Sequence, residues 1–297
     1  MQVQANLHLF MKSYLATESI NMTLSLTIRR LLTTQPVELP VFHPIALKLQ
    51  QLLESHDYKI DEVIELANED QSLAGQILKM ANSTVYMGRV RTETIKDAVI
   101  RLGAQQVSNL AMAASQSGLH VSDHPLINGF LRSLWLHSHA CAVGSRWLAR
   151  SAGYPQIADQ AYMAGLLHDV GKLYLLKALE RLNRLGVGQA ALEADLLLEI
   201  FEELHVEQGC RLMEHWNMPK VYYNVVSNHH DNNFDTTDTV LTIVRLVNTV
   251  CKQKGIGLEH DPSIDIQAQP ETVLLQLAQD ELDDLYEIIE DSQDFSV

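Results

Sequence analysis

The chain has 297 residues, 46% of them hydrophobic but only 6% aromatic, and 22 Lys+Arg against 37 Asp+Glu give it a net charge of −15. This length buries most apolar surface in one large or two smaller domains, and the Leu- and Ala-rich composition leans toward helices. A field of that sign repels phosphate backbones and anionic lipid, which argues against nucleic-acid and membrane partners.

Residues 1 to about 35 carry an irregular helical pattern through Leu7, Phe10, Met11 and Leu15, then Leu24, Ile28, Leu31 and Leu32. They are expected to form an N-terminal helical extension over 1–36. Three prolines between Pro36 and Pro44 fix φ and remove donors, so this stretch reads as a boundary. Helices are expected at Ile45–Leu53, at Asp61–Glu69 with Asp61 as its cap, at Ser72–Asn82, at Thr94–Leu102 and, after Gly103 as a stop, at Ala104–Ala114. Gly, Asn and Pro between Gly118 and Asn128 mark a connection. The second half reads as helices at Phe130–Ala152, Gln156–Lys177, Ala190–Leu204, Glu207–Trp216, Val221–His230 and Thr239–Lys252. No strand alternation and no fixed-period repeat is visible, so the fold class is all-α.

The acid is unevenly placed: from Ile256 to the end there are 12 Asp+Glu and no Lys or Arg, which leaves the first 255 residues near −3. In this acidic tail, 256–297, Leu274, Leu277, Ala278, Glu281, Leu285, Ile288 and Ile289 trace a stripe on a helix expected to dock on the parent domain. A partner-binding or dimerising helix is the alternative. The three cysteines, Cys141, Cys210 and Cys251, form no C-x-x-C pair, and their odd number suits a reducing compartment. They are expected to be small buried hydrophobes. With no secretory h-region and no apolar run of the ~18 residues a membrane span needs, a cytoplasmic protein is expected.

Chemistry concentrates in Leu166-Leu167-His168-Asp169-Val170-Gly171-Lys172, where an apolar run ends on an imidazole and a carboxylate, with an ammonium one turn later. If this segment is helical, His168, Asp169 and Lys172 share one face, and Gly165 lets another helix or a ligand come close. His137, His205 and the pair His229-His230 also fall within or at the ends of expected helices, where facing helices of a bundle build metal sites. Imidazoles with a carboxylate suit Fe, Mn, Zn or Ni better than Ca or Mg. The other histidines, His139 among them, are expected to be structural or superficial. His139 is turned about 200° from His137 on one helix, so only one of the two can face a site.

Leu-Leu-His168-Asp169-Val-Gly-Lys172, the upstream Leu-Trp-Leu-His137-Ser-His and the downstream His229-His230-Asp231 resemble the HD superfamily of metal-dependent phosphohydrolases. Leu39-Pro40, the run Ile77-Leu-Lys-Met-Ala-Asn82-Ser83 and Ile95-Lys-Asp-Ala-Val-Ile-Arg-Leu-Gly103 resemble HDOD, the regulatory branch of that superfamily. The resemblance covers roughly 37–252. It implies a multi-helix bundle of two lobes, an N-terminal lobe over 37–125 and an HD-like metal lobe over 126–255.

In dinuclear members, including the similar HD-GYP cyclic-dinucleotide phosphodiesterases, a helical His, the HD pair and a distal Asp hold the first metal. The matching residues are His137, His168, Asp169 and, in the place of that Asp, Asn248. The bridging Asp, a His in a His-x-x-x-Gly setting and a His-His pair hold the second, matched here by Asp169, His205 (with Gly209), His229 and His230. One or two divalent transition metals are thus implied, Fe or Mn first and Ni or Zn next, with Asp169 and Lys172 as the catalytic candidates and Lys172 facing phosphate. An amide at Asn248 is a weak ligand, so the first site is expected to bind less tightly. The segment Asn232 to Asp238 carries no GYP stretch. Two functions follow from the resemblance: a signal-transduction protein acting through a regulatory partner in a bacterial-type pathway, or a metal-dependent phosphohydrolase acting on a phosphorylated small molecule or nucleotide.

Overall fold

The computed structural model describes residues 42–294, apart from 56, 87, 89 and 185–192. The N-terminal extension and most of the proline boundary lie outside the described residues. Within them the chain is all-α, with no strand.

The first lobe is built from α1 (Pro44–Glu54), α2 (Ile60–Asn68), α3 (Gln71–Ala81), α4 (Ile95–Leu102) and α5 (Ala104–Ser117). Local chemistry sets their starts. Asp70 caps α3 by accepting from the Leu73 N–H at 2.8 Å, and Thr94 and Asp97 form a reciprocal capping box on α4. Asp61 is not a cap as expected: α2 begins one residue earlier, after Lys59, and Asp61 sits in its first turn, where its charge meets the positive end of the helix dipole. Gly103, at φ +86°, separates α4 from α5. α5 runs three residues past the expected Ala114 because its last turn, including Gln116 and Ser117, is buried against the second lobe.

The second lobe follows with α6 (Pro125–Ser151), α7 (Ala158–Leu167), α8 (Val170–Arg184), α9 (Ala194–His215), α10 (Lys220–Asn228) and α11 (Thr239–Lys254). Two expectations are corrected here. The single helix expected over Gln156–Lys177 is broken at His168-Asp169. His168 Nδ1 lies 2.8 Å from the Gly165 carbonyl and competes for an acceptor that the next turn would otherwise use. Conversely, the two helices expected on either side of His205 are one continuous α9. Nothing in Leu204-His205-Val206-Glu207 interrupts the backbone ladder, and Gly209 serves tertiary packing instead.

That packing is a set of close helix crossings. A Cβ on Gly171 would overlap the carbonyl oxygen of His205 and come within 2.8 Å of the Gly209 nitrogen, so α8 lies directly on the backbone of α9. A Cβ on Gly165 would stand 2.6 Å from the carbonyl oxygen of Cys141, which brings α7 equally close to α6. Backbone contact of this kind needs glycine, and it draws the three histidine-bearing segments together.

One apolar core runs from Phe42 in the first lobe to Val244 in α11, and a second is shared by the C-terminal half of α6, α11 and the tail. The tail helix, α13 (Gln279–Asp291), follows a short α12 (Pro270–Leu274). It is docked, with Leu282, Leu285 and Ile289 fully buried and Ile289 against Gly144 of α6. The inward stripe uses Leu282 rather than Glu281, since the helix starts only after Ala278.

Gly171→Ala is expected to destabilise the protein by about 3 kcal/mol, at the upper end of overpacking costs, because a backbone carbonyl cannot step aside as a side chain can. Thermal unfolding by circular dichroism checks this, with the exposed Gly129→Ala as a control that does not lower the midpoint and slightly raises it, since alanine is the better residue inside α6.

Candidate metal centre

Asp169 lies at the centre, 2% exposed, in the turn between α7 and α8. Its two oxygens face different neighbours. Oδ2 is 3.5 Å from Nε2 of His137 and of His168, and 2.8 Å from Nζ of Lys172. Oδ1 is 3.7 Å from His205 Nε2 and 3.4 Å from His229 Nε2. His230 completes a group with Asp169, His205 and His229 whose ligand atoms all lie within 4.8 Å of one another, and His230 alone of the four is exposed.

The four buried imidazoles are oriented in one way. His137 Nδ1 lies 2.9 Å from the Ile256 carbonyl, His168 Nδ1 2.8 Å from that of Gly165, His205 Nδ1 2.5 Å from that of Phe201, and His229 Nδ1 3.0 Å from that of Val226. A carbonyl only accepts, so each Nδ1 donates, and each ring, in its neutral form, turns the lone pair of Nε2 inward. Backbone acceptors fix the tautomer of metal-ligating histidines in this manner. The Nε2 atoms of His205 and His229 and Oδ1 of Asp169 are buried and have no hydrogen-bond partner among the described residues. Buried polar atoms left in this state are costly, and a cation among them would satisfy all three at once. The donors present fit a divalent transition metal.

Charge agrees with this picture. Burial alone would raise the Asp169 carboxyl, but the Lys172 ammonium beside it holds it well below the usual carboxylate range. Burial pushes His168 well below the ordinary imidazole value and His205 down to about 4, so both are neutral, as ligands must be.

Several contributors were not expected. Arg245 of α11 donates from its guanidinium to the carbonyls of Asn228, His229 and Asp231 at 2.8–3.2 Å and to Glu271 Oε1 at 2.7 Å, locking the end of α10 that carries His229 and His230. The start of the acidic tail also reaches the centre. Ile256 supplies the carbonyl for His137, Gly257 at φ +126° packs on the His137 ring, and Glu259 lies 3.8 Å from Lys172 and 2.8 Å from Lys252. Cys141 and Cys251 are buried as expected, yet they face His137. Among the expected ligands, His137, His168, Asp169, His205, His229 and His230 converge. Asn248 is buried on α11 one turn before Cys251. His139 packs its ring against Trp135 at 5.5 Å, away from the site. A cleft of about 480 Å³ opens beside the centre, bordered by Lys172, Phe201, Glu202, His205, His230, Lys252 and Glu259.

A helical bundle with histidines from α6, α7, α9 and α10 around one aspartate is the architecture of HD-type proteins. The HDOD domain model matches residues 39–232, and the chain belongs to the HDOD family. An HDOD protein of unknown function from Geobacter sulfurreducens is 24% identical and superposes with a TM-score of 0.72 over 92% of this chain and 97% of its own. A protein of Shewanella amazonensis, provisionally named a metal-dependent phosphohydrolase, is 18% identical with a TM-score of 0.70 over 93% and 99% of the two chains. An uncharacterized protein of Treponema pallidum is 25% identical over 198 residues, 65% of this chain and 38% of its own length. The chain thus spans about two fifths of that relative. Among the described residues no helix is long and apolar enough to cross a membrane.

Two outcomes are expected. Arg245→Met should weaken metal binding by about 10- to 100-fold through loss of outer-shell support, as read by equilibrium dialysis against Mn²⁺ or Fe²⁺. In the metal-free protein, burial holds His120, His139 and His205 down to about 4 from an ordinary 6.5. A depressed imidazole value gives stability that is full above pH 6.5 and is lost as pH falls toward 4, because the unfolded chain then binds the extra protons. Urea midpoints measured from pH 7.5 to 4 should therefore fall steadily, and His120→Gln should flatten part of that slope.

Proposed function

We propose that this protein is an HDOD-type regulator in which a divalent transition metal, iron or manganese on the His205, His229 and His230 side, braces the bundle while the signal passes to a protein partner. The observation that supports this most directly is how the lysines are engaged. Lys172 Nζ is 2.8 Å from Asp169 Oδ2 and 3.8 Å from Glu259 Oε1, and Lys252 Nζ is 2.8 Å from Glu259 Oε2. Both ammonium groups bordering the cleft already face carboxylates. An entering phosphate would have to displace Glu259 and would meet Glu202 on the wall. The lysine that resemblance assigns to phosphate thus serves here to neutralise a buried carboxylate, and a cleft with that charge pattern opposes an anionic substrate.

A metal-dependent phosphohydrolase is the second reading, favoured by the cleft itself, which is large enough for a small phosphorylated molecule and reaches His205 and His230. A bound metal would supply Lewis-acid polarisation of a phosphoryl oxygen. In that case Lys172 would orient the phosphate, and Asp169, held ionised, would keep the metal in register.

Metal-loaded protein should contain metal in stoichiometric amount and show no turnover of phosphomonoester, phosphodiester or cyclic-dinucleotide substrates. Turnover that Asp169→Ala abolishes would overturn the regulatory reading. Glu259→Gln separates the two further: a regulator stays inactive, whereas a hydrolase relieved of the competing carboxylate gains at least several-fold in kcat/KM.

A further inference from the structure

We propose that His137, His168, Cys141 and Cys251 form a second, four-coordinate His2Cys2 site for a thiophilic divalent cation, with zinc as the prototype. This site is distinct in donor chemistry from the His205, His229 and His230 side. The proposal deepens the metal-centre reading, since it takes His137 and His168 to face a cation.

The first support is distance. His137 Nε2 and His168 Nε2 are 3.2 Å apart, Cys141 Sγ is 3.7 Å from His137 Nε2, and Cys141 Sγ is 3.8 Å from Cys251 Sγ. A tetrahedron with Zn–N of about 2.0 Å and Zn–S of about 2.3 Å has edges of about 3.3 Å between nitrogens, 3.5 Å between nitrogen and sulfur and 3.8 Å between sulfurs. The three spacings His137–His168, His137–Cys141 and Cys141–Cys251 come close to these edges. His137, Cys141 and His168 offer ligand atoms that all lie within 4.8 Å of one another, and the Cys251 thiol, beside that of Cys141 but outside this group, would have to turn inward to close the tetrahedron.

The second support is hydrogen-bond logic. Both Nδ1 atoms donate to backbone carbonyls, so the two Nε2 atoms are left to face each other across 3.2 Å. A shared proton relieves one such contact, whereas a cation at the centre of the group relieves them all.

Charge supplies the third support. The residue that resemblance would place here as a second carboxylate is Asn248, and Oδ2 of Asp169 is taken up by Lys172. Two thiolates would balance a divalent ion without either carboxylate. The local sequence provides them in register: His137 and Cys141 are one turn apart on α6, and Cys251 is one turn after Asn248 on α11. The close α6–α7 crossing at Gly165, against the carbonyl of Cys141, carries His168 to them.

Cobalt(II) is the probe. Full-length protein titrated with Co²⁺ should develop a near-ultraviolet thiolate-to-cobalt charge-transfer band and strong tetrahedral visible bands, both erased by Zn²⁺. Cys141→Ser and Cys251→Ser should each abolish or sharply weaken the charge-transfer band and cost one metal equivalent per chain. His229→Ala should keep the band while losing metal from the other side. If either cysteine variant fails to fold, X-ray absorption at the zinc edge of the unmodified protein decides, with two sulfur and two nitrogen neighbours expected. Cobalt bound without a thiolate band, or zinc ringed by nitrogen and oxygen alone, overturns the His2Cys2 site and leaves the His205 and His229 centre intact. No bound metal of any kind overturns both.

Discussion

A carboxylate with 2% exposure has to be compensated where it lies, and the second lobe is arranged around that demand at Asp169. Lys172 meets Oδ2 at 2.8 Å, and four imidazoles from four helices crowd the remaining lone pairs. Ion pairing inside a protein repays desolvation only when geometry is close and the other lone pairs are occupied. One lysine does not occupy them all, since Oδ1 finds no hydrogen-bond donor among the described residues. The unfinished half of this arrangement is what a cation would complete.

Geometry this tight depends on backbone approach. Gly165 lets α7 touch α6, and Gly171 lets α8 touch α9 beside Gly209. These crossings set the spacing of His137, His168 and His205 more rigidly than side-chain packing would, because backbone atoms do not change rotamer. Arg245 then fixes the histidine-bearing end of α10 by binding three carbonyls at its close, while Gly209 of α9 admits Val226 of the same helix. The tail contributes as well. Ile256 orients His137 and Glu259 occupies the lysines, so the acidic segment shapes both the first ligand and the entrance to the cleft.

Helix content, most helix starts and the six side chains that converge at the centre are legible in the sequence, because capping residues, 3.6-residue periodicity and the His-Asp signature are local signals. The misreadings came from contacts made across the fold. The break at His168-Asp169 follows from an imidazole taking a backbone acceptor, and the unbroken α9 from a backbone ladder that Leu204 to Glu207 leave intact. Cys141 and Cys251 are buried as the sequence leads one to expect, but that they stand beside His137 needed α6 and α11 to be placed side by side.

The sequence by itself determined that this is an all-α HDOD protein with a histidine-rich centre around Asp169, since residue type and spacing along helices carry that information. Only the tertiary structure decided which atoms face one another. It separates the two oxygens of Asp169 between two sets of donors, ties Lys172 to Asp169 and Glu259, and sets two thiols against His137. Those outcomes depend on the angle and closeness of helix crossings between segments well separated in the chain, which no local pattern encodes.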